Sequence, residues 1–360
     1  MADLHVSKDI SIQSHKGEYT VHFTNNWIAD LLTRKVNESI FIVDSNIAEI
    51  YKDGIQEVLS SGRSLIIHAS EDNKSLDKCP DYVNSLVDLG VKRGNTLIAV
   101  GGGITQDITC FLASTMMRGL PWVFYPTTLL AQADSCIGSK SSINSGEIKN
   151  ILGTFTPPEK IILDVGVLKT LEATDIHSGI GEMIKVHAIN SPESFNKIAD
   201  AYDEIITQDK FMEEFIYASL LMKKKLIEID EFDVGPRNVM NYGHSFGHAI
   251  ETATNYSIPH GIAVTIGMDM ANFVASKLGI TKEEHFIRMH EVLEKNAQQF
   301  RKVHIDCGLL LNALSKDKKN TSSQLRLILP DKSSKISIGL HDKSTELEDS
   351  VKEYCQLFQV

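Results

Sequence analysis

The 360-residue chain is poor in the features that staple secreted folds or cross membranes. Its five cysteines, Cys79, Cys110, Cys136, Cys307 and Cys355, are odd in number, widely spaced and form no CxxC pair. That argues against a disulfide framework or a thiolate zinc site and predicts a reducing cytoplasm. The opening Met-Ala-Asp-Leu-His-Val lacks a basic segment followed by an apolar stretch, so no signal peptide is expected. No uninterrupted apolar run approaches the roughly 20 residues that span a bilayer. Basic residues are outnumbered, 36 Lys and Arg against 47 Asp and Glu, for a net charge of −11. Nucleic acid and anionic membranes need a broad basic face, so neither is expected as a partner. A small anionic ligand stays open, because a buried site can be basic inside an acidic protein. Core material is ample: 42% hydrophobic and 23% charged residues suffice for two domains at this length.

The first half alternates short β-rich runs with helical patterns. Strands are expected at Ser39–Val43, Ser64–His68, Thr96–Val100, Trp122–Tyr125 and Lys160–Asp164, with helices at Ile47–Leu59, Pro80–Leu89 and Ile104–Met117. That spacing implies a mostly parallel sheet covered by helices. Helical periodicity then takes over at Thr174–Asn190, Glu193–Ile206, Lys210–Asp230, Gly235–Tyr256 and Gly261–Leu278, with a strand pair at Leu325–Leu329 and Lys335–Ile338. The expected division is an α/β domain over residues 1–165 and a mainly helical domain over 166–360.

Three local patterns carry chemistry. Gly101-Gly102-Gly103 ends a strand and opens a helix with Asp107 in its first turns; such a turn lets backbone amides and a helix N-terminus meet a pyrophosphate. The pattern is GGGxxxD rather than GxGxxG, so a plain tight turn is the equal alternative. Within NYGHSFGHAIE, His244 and His248 share a helical face, His260 follows just after Pro259, and Glu182 lies in the earlier helical segment GEMIK. Two imidazoles and a carboxylate would leave an open position on a catalytic divalent cation, although spacing alone does not choose which histidines bind. Residues 131–150 are small and polar, with Lys140 and Lys149 as their only cations, which reads as a binding loop. Arg118 could cap the helix before it, and Lys185 could be an ordinary ion pair with Glu182.

Together GGGITQD, MRG, PTTLLAQADS, SK…N…KN, LKTL, GEMIK, NYGHSFGHAIE, HGIAV and SKDKK occur in the order and spacing of a known family. Over about residues 39 to 330 the chain resembles 3-dehydroquinate synthase and its sugar-phosphate cyclase relatives. The resemblance implies an N-terminal nucleotide-binding α/β domain, an all-helical C-terminal domain, a homodimer, catalytic NAD and Zn2+ (or Co2+). It implies Glu182, His244 and His260 at the metal. It implies Asp44, Glu71, Lys74, Gly102, Gly103, Asp107, Thr127, Thr128, Lys149, Leu168, Lys169 and Thr170 around NAD. For the substrate it implies Arg118, Lys140, Asn150, Asn241, His248, Lys318 and Lys319 at phosphate, Asp134 and Lys185 at hydroxyls, and Lys223 with Arg237 at a carboxylate. Lys140, Lys185, His248, Asp134 and Asn241 would form the catalytic set.

The implied activity is that of a carbon–oxygen lyase: oxidation, phosphate elimination, reduction, ring opening and aldol closure of a phosphorylated keto-sugar acid, a step of the shikimate route to aromatic amino acids. Relatives that cyclise uncarboxylated sugar phosphates tend to lose the arginine. Here Arg237 is present, and a guanidinium is the natural bidentate partner of a carboxylate, which favours a 3-deoxy-heptulosonate 7-phosphate. The alternatives are a sibling cyclase of the 2-deoxy-scyllo-inosose, 2-epi-5-epi-valiolone or aminodehydroquinate type, or an NAD- and metal-dependent polyol dehydrogenase. The motifs depart from the family pattern at Gln106, Ser139, Ile148 and Ile262.

Overall fold

The computed structural model of the chain describes residues 9–316 and 320–358. Two units emerge: the described residues up to Leu171 joined by Lys224–Phe232, and Glu172–Lys223 joined by the described residues from Asp233 on. The change of unit falls between Leu171 and Glu172, and nothing in the composition announces the return of residues 224–232.

In the first unit the chain runs β1 (Ile10–Ser14), β2 (Gly17–Phe23), α1 (Trp27–Leu32), β3 (Ser39–Asp44), α2 (Ser45–Ile50), α3 (Gln56–Leu59), β4 (Ser64–Ile67), α4 (Cys79–Asp88), β5 (Thr96–Gly101), α5 (Gly103–Thr115), β6 (Trp122–Pro126), β7 (Lys140–Ser145), β8 (Ile148–Phe155) and β9 (Lys160–Leu163). Seven strands form one sheet in the order β1-β2-β9-β6-β5-β3-β4, parallel except for the β1–β2 hairpin. The central strands are continuous apolar runs because helices cover both faces, and β3 and β6 are buried almost throughout. All five expected strands are present. The β1–β2 pair, with its mixed polar sequence, extends the sheet past β9.

Two expectations fail locally. The helix expected over Ile47–Leu59 is two short helices parted by a turn, where Gly54 leaves room for Ile28. The loop expected over residues 131–150 is instead a π-helical turn at Ala131–Ser135 followed by the β7–β8 hairpin. Residues 140–143 alternate between outward and buried positions, masked by their small polar composition, before a register shift at Ile143/Ser145, and β8 is largely exposed. Polarity here marks an exposed hairpin rather than irregular chain.

The second unit contains α6 (Ala173–Asn190), α7 (Pro192–Asp200), α8 (Tyr202–Thr207), α9 (Asp209–Ile229, whose end joins the first unit), α10 (His244–Ala253), α11 (His260–Lys277), α12 (Glu283–Ala297), α13 (Cys307–Ser315), the antiparallel pair β10 (Gln324–Pro330) and β11 (Ile336–Asp342), and α14 (Thr345–Phe358). It is helical apart from that strand pair. The helix expected over Glu193–Ile206 breaks at Ala201. The one expected over Gly235–Tyr256 is a 3-10 turn at Pro236–Asn241, a left-handed Gly243 (φ 78°) and then α10. Helix α11 is buried along nearly its whole length, which makes it the core of this unit. Among the described residues no helix is long and apolar enough to cross a membrane.

Candidate active site

Three helices of the second unit converge because their crossings are lined with glycine. A Cβ at Gly181 of α6 would meet the Gly261 carbonyl and Thr265, and one at Gly261 of α11 would sit on the Ser178 carbonyl. Along α10 and α11, Gly243, Gly247 and Gly267 meet in the same way: a Cβ at Gly267 would lie 2.7 Å from the Gly247 nitrogen, and one at Gly247 3.1 Å from the Ala263 oxygen. Backbones this close carry Glu182 on α6, His244 and His248 on α10, and His260 at the start of α11 into one cluster. Gly243 also needs its positive φ to launch α10 with His244 as the first helical residue, a backbone state natural to glycine.

Ligand atoms of Glu182, His244 and His260 all lie within 4.8 Å of one another. The Nε2 atoms of His260 and His244 stand 3.4 and 3.8 Å from Glu182 Oε1, outside good hydrogen-bond range and suited to sharing a cation. Each imidazole is oriented from behind. His244 Nδ1 lies 3.3 Å from the Tyr242 carbonyl, and His260 Nδ1 lies 3.2 Å from Glu251 Oε1. Such outer partners fix the tautomer and turn Nε2 inward. Glu251 closes the NYGHSFGHAIE motif, three residues past His248, and its residue type alone does not separate this role from that of a surface carboxylate. A second group, His248, Glu251 and His260, meets the same distance limit with more exposure.

Glu182 is 2% exposed and pairs with the equally buried Lys185, three residues along α6. Burial would raise this carboxyl, but Lys185 and the two imidazoles hold it well below the ordinary range. Burial and Lys185 push His244 well below its usual value, while for His260 the carboxylates of Glu182 and Glu251 overcome burial and raise it to about 10. A buried anion facing two imidazoles favours one further positive charge among them. A carboxylate with two nitrogen donors fits a divalent cation such as zinc.

Elsewhere in this unit Lys223 and Arg237 are both 6% exposed, cations held in the interior. Asn241 donates to the Asn238 carbonyl at 3.0 Å, and His248 is exposed one turn beyond His244, their rings 5.4 Å apart. Lys318 and Lys319 lie outside the described residues.

In the first unit the residues expected at a dinucleotide gather at the carboxyl ends of the parallel strands. Asp44 ends β3, Gly102 and Gly103 follow β5, Thr127 and Thr128 follow β6, and Leu168, Lys169 and Thr170 follow β9. The connections reverse direction between β3 and β5, and such switch points are where open α/β sheets hold ligands. Gly102 caps α5, and a Cβ there would meet Thr128 Cγ2 at 2.8 Å. Asp107 lies one turn into α5. Burial raises its carboxyl to about 6 despite Lys74, whose Nζ is 3.3 Å away. Lys74 also reaches Glu71 at 3.1 Å and Asn150 Oδ1 at 2.9 Å. Lys140 and Lys149 lie exposed on the β7–β8 hairpin, and Asp134 is half-buried in the π-turn.

Arg118 stands apart from this gathering. It follows the far end of α5, about 20 Å of helix from Gly103, exposed and with φ 69°. Two departures from the family pattern find local uses. Gln106 exchanges hydrogen bonds with Ser135, at 2.7 Å each way, and Ser139 (φ 62°) is bonded to Glu231. Ile262 is fully buried in α11, and Ile148 is exposed on β8.

Comparison with known proteins shows the family. Residues 64–178 match the family described as 3-dehydroquinate synthase N-terminal, and residues 179–320 the one described as 3-dehydroquinate synthase C-terminal. A 3-dehydroquinate synthase from Dehalococcoides mccartyi is 33% identical over 332 residues, covering 89% of this chain and 92% of that one. Among solved structures, 2-deoxy-scyllo-inosose synthase complexed with carbaglucose-6-phosphate, NAD+ and Co2+ superposes with a TM-score of 0.82 at 22% identity, covering 96% and 99% of the two chains. The 2-epi-5-epi-valiolone synthase of Streptomyces hygroscopicus subsp. jinggangensis with NAD+ and Zn2+ gives 0.80 at 22% identity, covering 95% and 96%. The chain belongs to the 3-dehydroquinate synthase family.

Proposed function

We propose that the protein is a 3-dehydroquinate synthase, a lyase that converts a 3-deoxy-heptulosonate 7-phosphate to a carbocycle with loss of phosphate, using NAD and a divalent cation. The observation that carries the reading is the buried Glu182, paired with Lys185 and facing the Nε2 atoms of His244 and His260. Glu182, His244 and His260 would hold the cation, and the strand ends around Gly102 would hold the dinucleotide. Bound there, the cation would polarise a substrate hydroxyl and NAD+ would accept and later return a hydride.

The chain's own residues supply position and charge. Lys185 keeps Glu182 ionised and would donate to a substrate hydroxyl, as Asp134 would accept from another. His248, exposed beside the triad, would carry a proton near the phosphate, with Lys140, Asn150, Asn241 and the Lys318–Lys319 pair as phosphate contacts. Lys223 and Arg237, interior cations, would fix the carboxylate, Arg237 through two parallel hydrogen bonds. Buried donors of this kind act strongly because they are preorganised and shielded from water. The reading extends to a cytoplasmic homodimer, which size-exclusion chromatography and cell fractionation test.

The test is phosphate release by the purified protein with NAD+ and Zn2+, given 3-deoxy-arabino-heptulosonate 7-phosphate or uncarboxylated sugar phosphates such as glucose 6-phosphate. Turnover of the carboxylated sugar alone supports the reading. Preference for an uncarboxylated one would make the protein a sibling cyclase. Accumulating absorbance at 340 nm without phosphate release would make it a polyol dehydrogenase.

A further inference from the structure

Between the segment that opens α4 and the exposed β7–β8 hairpin lies a side chain that neither the metal nor the nucleotide reading uses. Asn144 is 6% exposed, near the end of β7. Its Nδ2 donates to the Glu71 carbonyl at 3.1 Å and to Glu71 Oε2 at 3.0 Å, while its Oδ1 accepts from the Asn150 backbone N–H at 2.9 Å. Its own backbone N–H donates to the Lys74 carbonyl at 2.8 Å, and it bridges to Ser75 in parallel. Both ends of one amide are therefore committed, one to each of two residues that the functional reading gives to different ligands.

Asn150 is built to need this support. It is a non-glycine residue in the left-handed region (φ 52°), a state that costs energy and persists only where its surroundings hold it. Its Oδ1 accepts from Lys74 Nζ and Ser142 Oγ, each at 2.9 Å. Its Nδ2 donates to nothing among the described residues, which is the end an anion would want. Lys74 closes the circuit by reaching Glu71. The result is a ring of hydrogen bonds, Asn144 to Glu71 to Lys74 to Asn150 and back, with the two ends of the Asn144 amide holding two different members.

We propose that Asn144 is a positioning residue that holds two segments at once, the nucleotide-side Glu71–Lys74 through its Nδ2 and the phosphate-side Asn150 through its Oδ1. The inference rests on the functional reading above, in which Glu71 meets NAD and Asn150 meets phosphate. It depends on Asn144 being an amide: alanine removes both links, whereas aspartate keeps the acceptor for the Asn150 N–H, loses the donor and sets a carboxylate against Glu71.

Calorimetric titration of the full chain with NAD+ and, separately, with inorganic phosphate tests this. Asn144→Ala should weaken both about tenfold, the scale expected when a buried hydrogen-bonding partner is removed. Asn144→Asp should weaken NAD+ at least as much while leaving phosphate within about twofold of wild type, a split that general damage to the hairpin does not produce. If the alanine variant fails to fold, the aspartate split decides alone. Equal weakening of both ligands by Asn144→Asp, or no weakening of NAD+, overturns the proposal. A wild-type chain that binds neither ligand would overturn the functional reading itself, so the two failures are distinct.

Discussion

Replacing Gly261 by alanine tests whether the metal cluster is made by close backbone packing. In an isolated helix this change is favourable by about 1 kcal/mol, since alanine is the better helix former. Here the sign should reverse, because the added methyl falls on the Ser178 carbonyl of α6, a backbone atom that cannot step aside. Relieving the overlap requires α6 and α11 to separate by roughly 1 Å, and overpacking of that kind typically costs about 1–3 kcal/mol or more. The same movement would carry Glu182 away from His260, now 3.4 Å apart at their nearest ligand atoms. The assays are the thermal midpoint of the helical unit and zinc affinity by equilibrium dialysis, with Gly247→Ala as the graded control. At Gly247 the nearest atoms to an added Cβ are 3.1 Å away, a strain relieved by a few tenths of an ångström, so its loss should be smaller on both readouts. A Gly261→Ala protein with unchanged melting and zinc affinity, or one less damaged than Gly247→Ala, would refute the packing argument.

Other outcomes follow from the same geometry. Glu182→Gln should lower zinc affinity at least a hundredfold, beyond the 10–100-fold of an outer-shell change, and abolish phosphate release; full turnover of this variant after chelation would exclude the metal assignment. Arg237→Ala should raise KM for a carboxylated sugar phosphate by about 10–150-fold, the range of a lost charge-assisted contact, and an unchanged KM would point to an uncarboxylated substrate. Burial holds the imidazoles of His187 and His285 down to about 4, against 6.5 ordinarily. The unfolded chain takes up protons there that the folded chain refuses, so stability is full above pH 6.5 and falls as pH drops toward 4, by about 2 kcal/mol per ring at pH 5. Melting between pH 7.5 and 5 should show that loss, and a His187→Gln, His285→Gln double variant that kept the full slope would contradict it.

The parts of the fold legible in the sequence were those with an unambiguous period. Strands β3, β5, β6 and β9 are buried on both faces and so read as apolar runs, and α6 and α11 are long enough for a helical repeat to stand out. The β1–β2 pair and the β7–β8 hairpin were not legible, because strands with polar exposed faces resemble loops in composition. Nor was the break at Gly243, where a left-handed turn lies against Met268 and Val264 of α11, residues more than twenty positions away.

The site divides along the same line. The sequence by itself determined which chemical groups are available: a glycine turn after a strand, a His-x-x-x-His-x-x-Glu face on one helix, a Glu-x-x-Lys pair on another and a histidine opening a third. Tertiary structure alone decided how those groups divide their work. Burial and Lys185 keep Glu182 charged, the Tyr242 carbonyl and Glu251 turn two imidazoles inward, and Arg118 is left at the far end of α5. Residue type and periodicity are local properties of the chain, whereas charge state and direction depend on neighbours that packing brings from 60 to 80 residues away, as Glu182 meets His244 and His260.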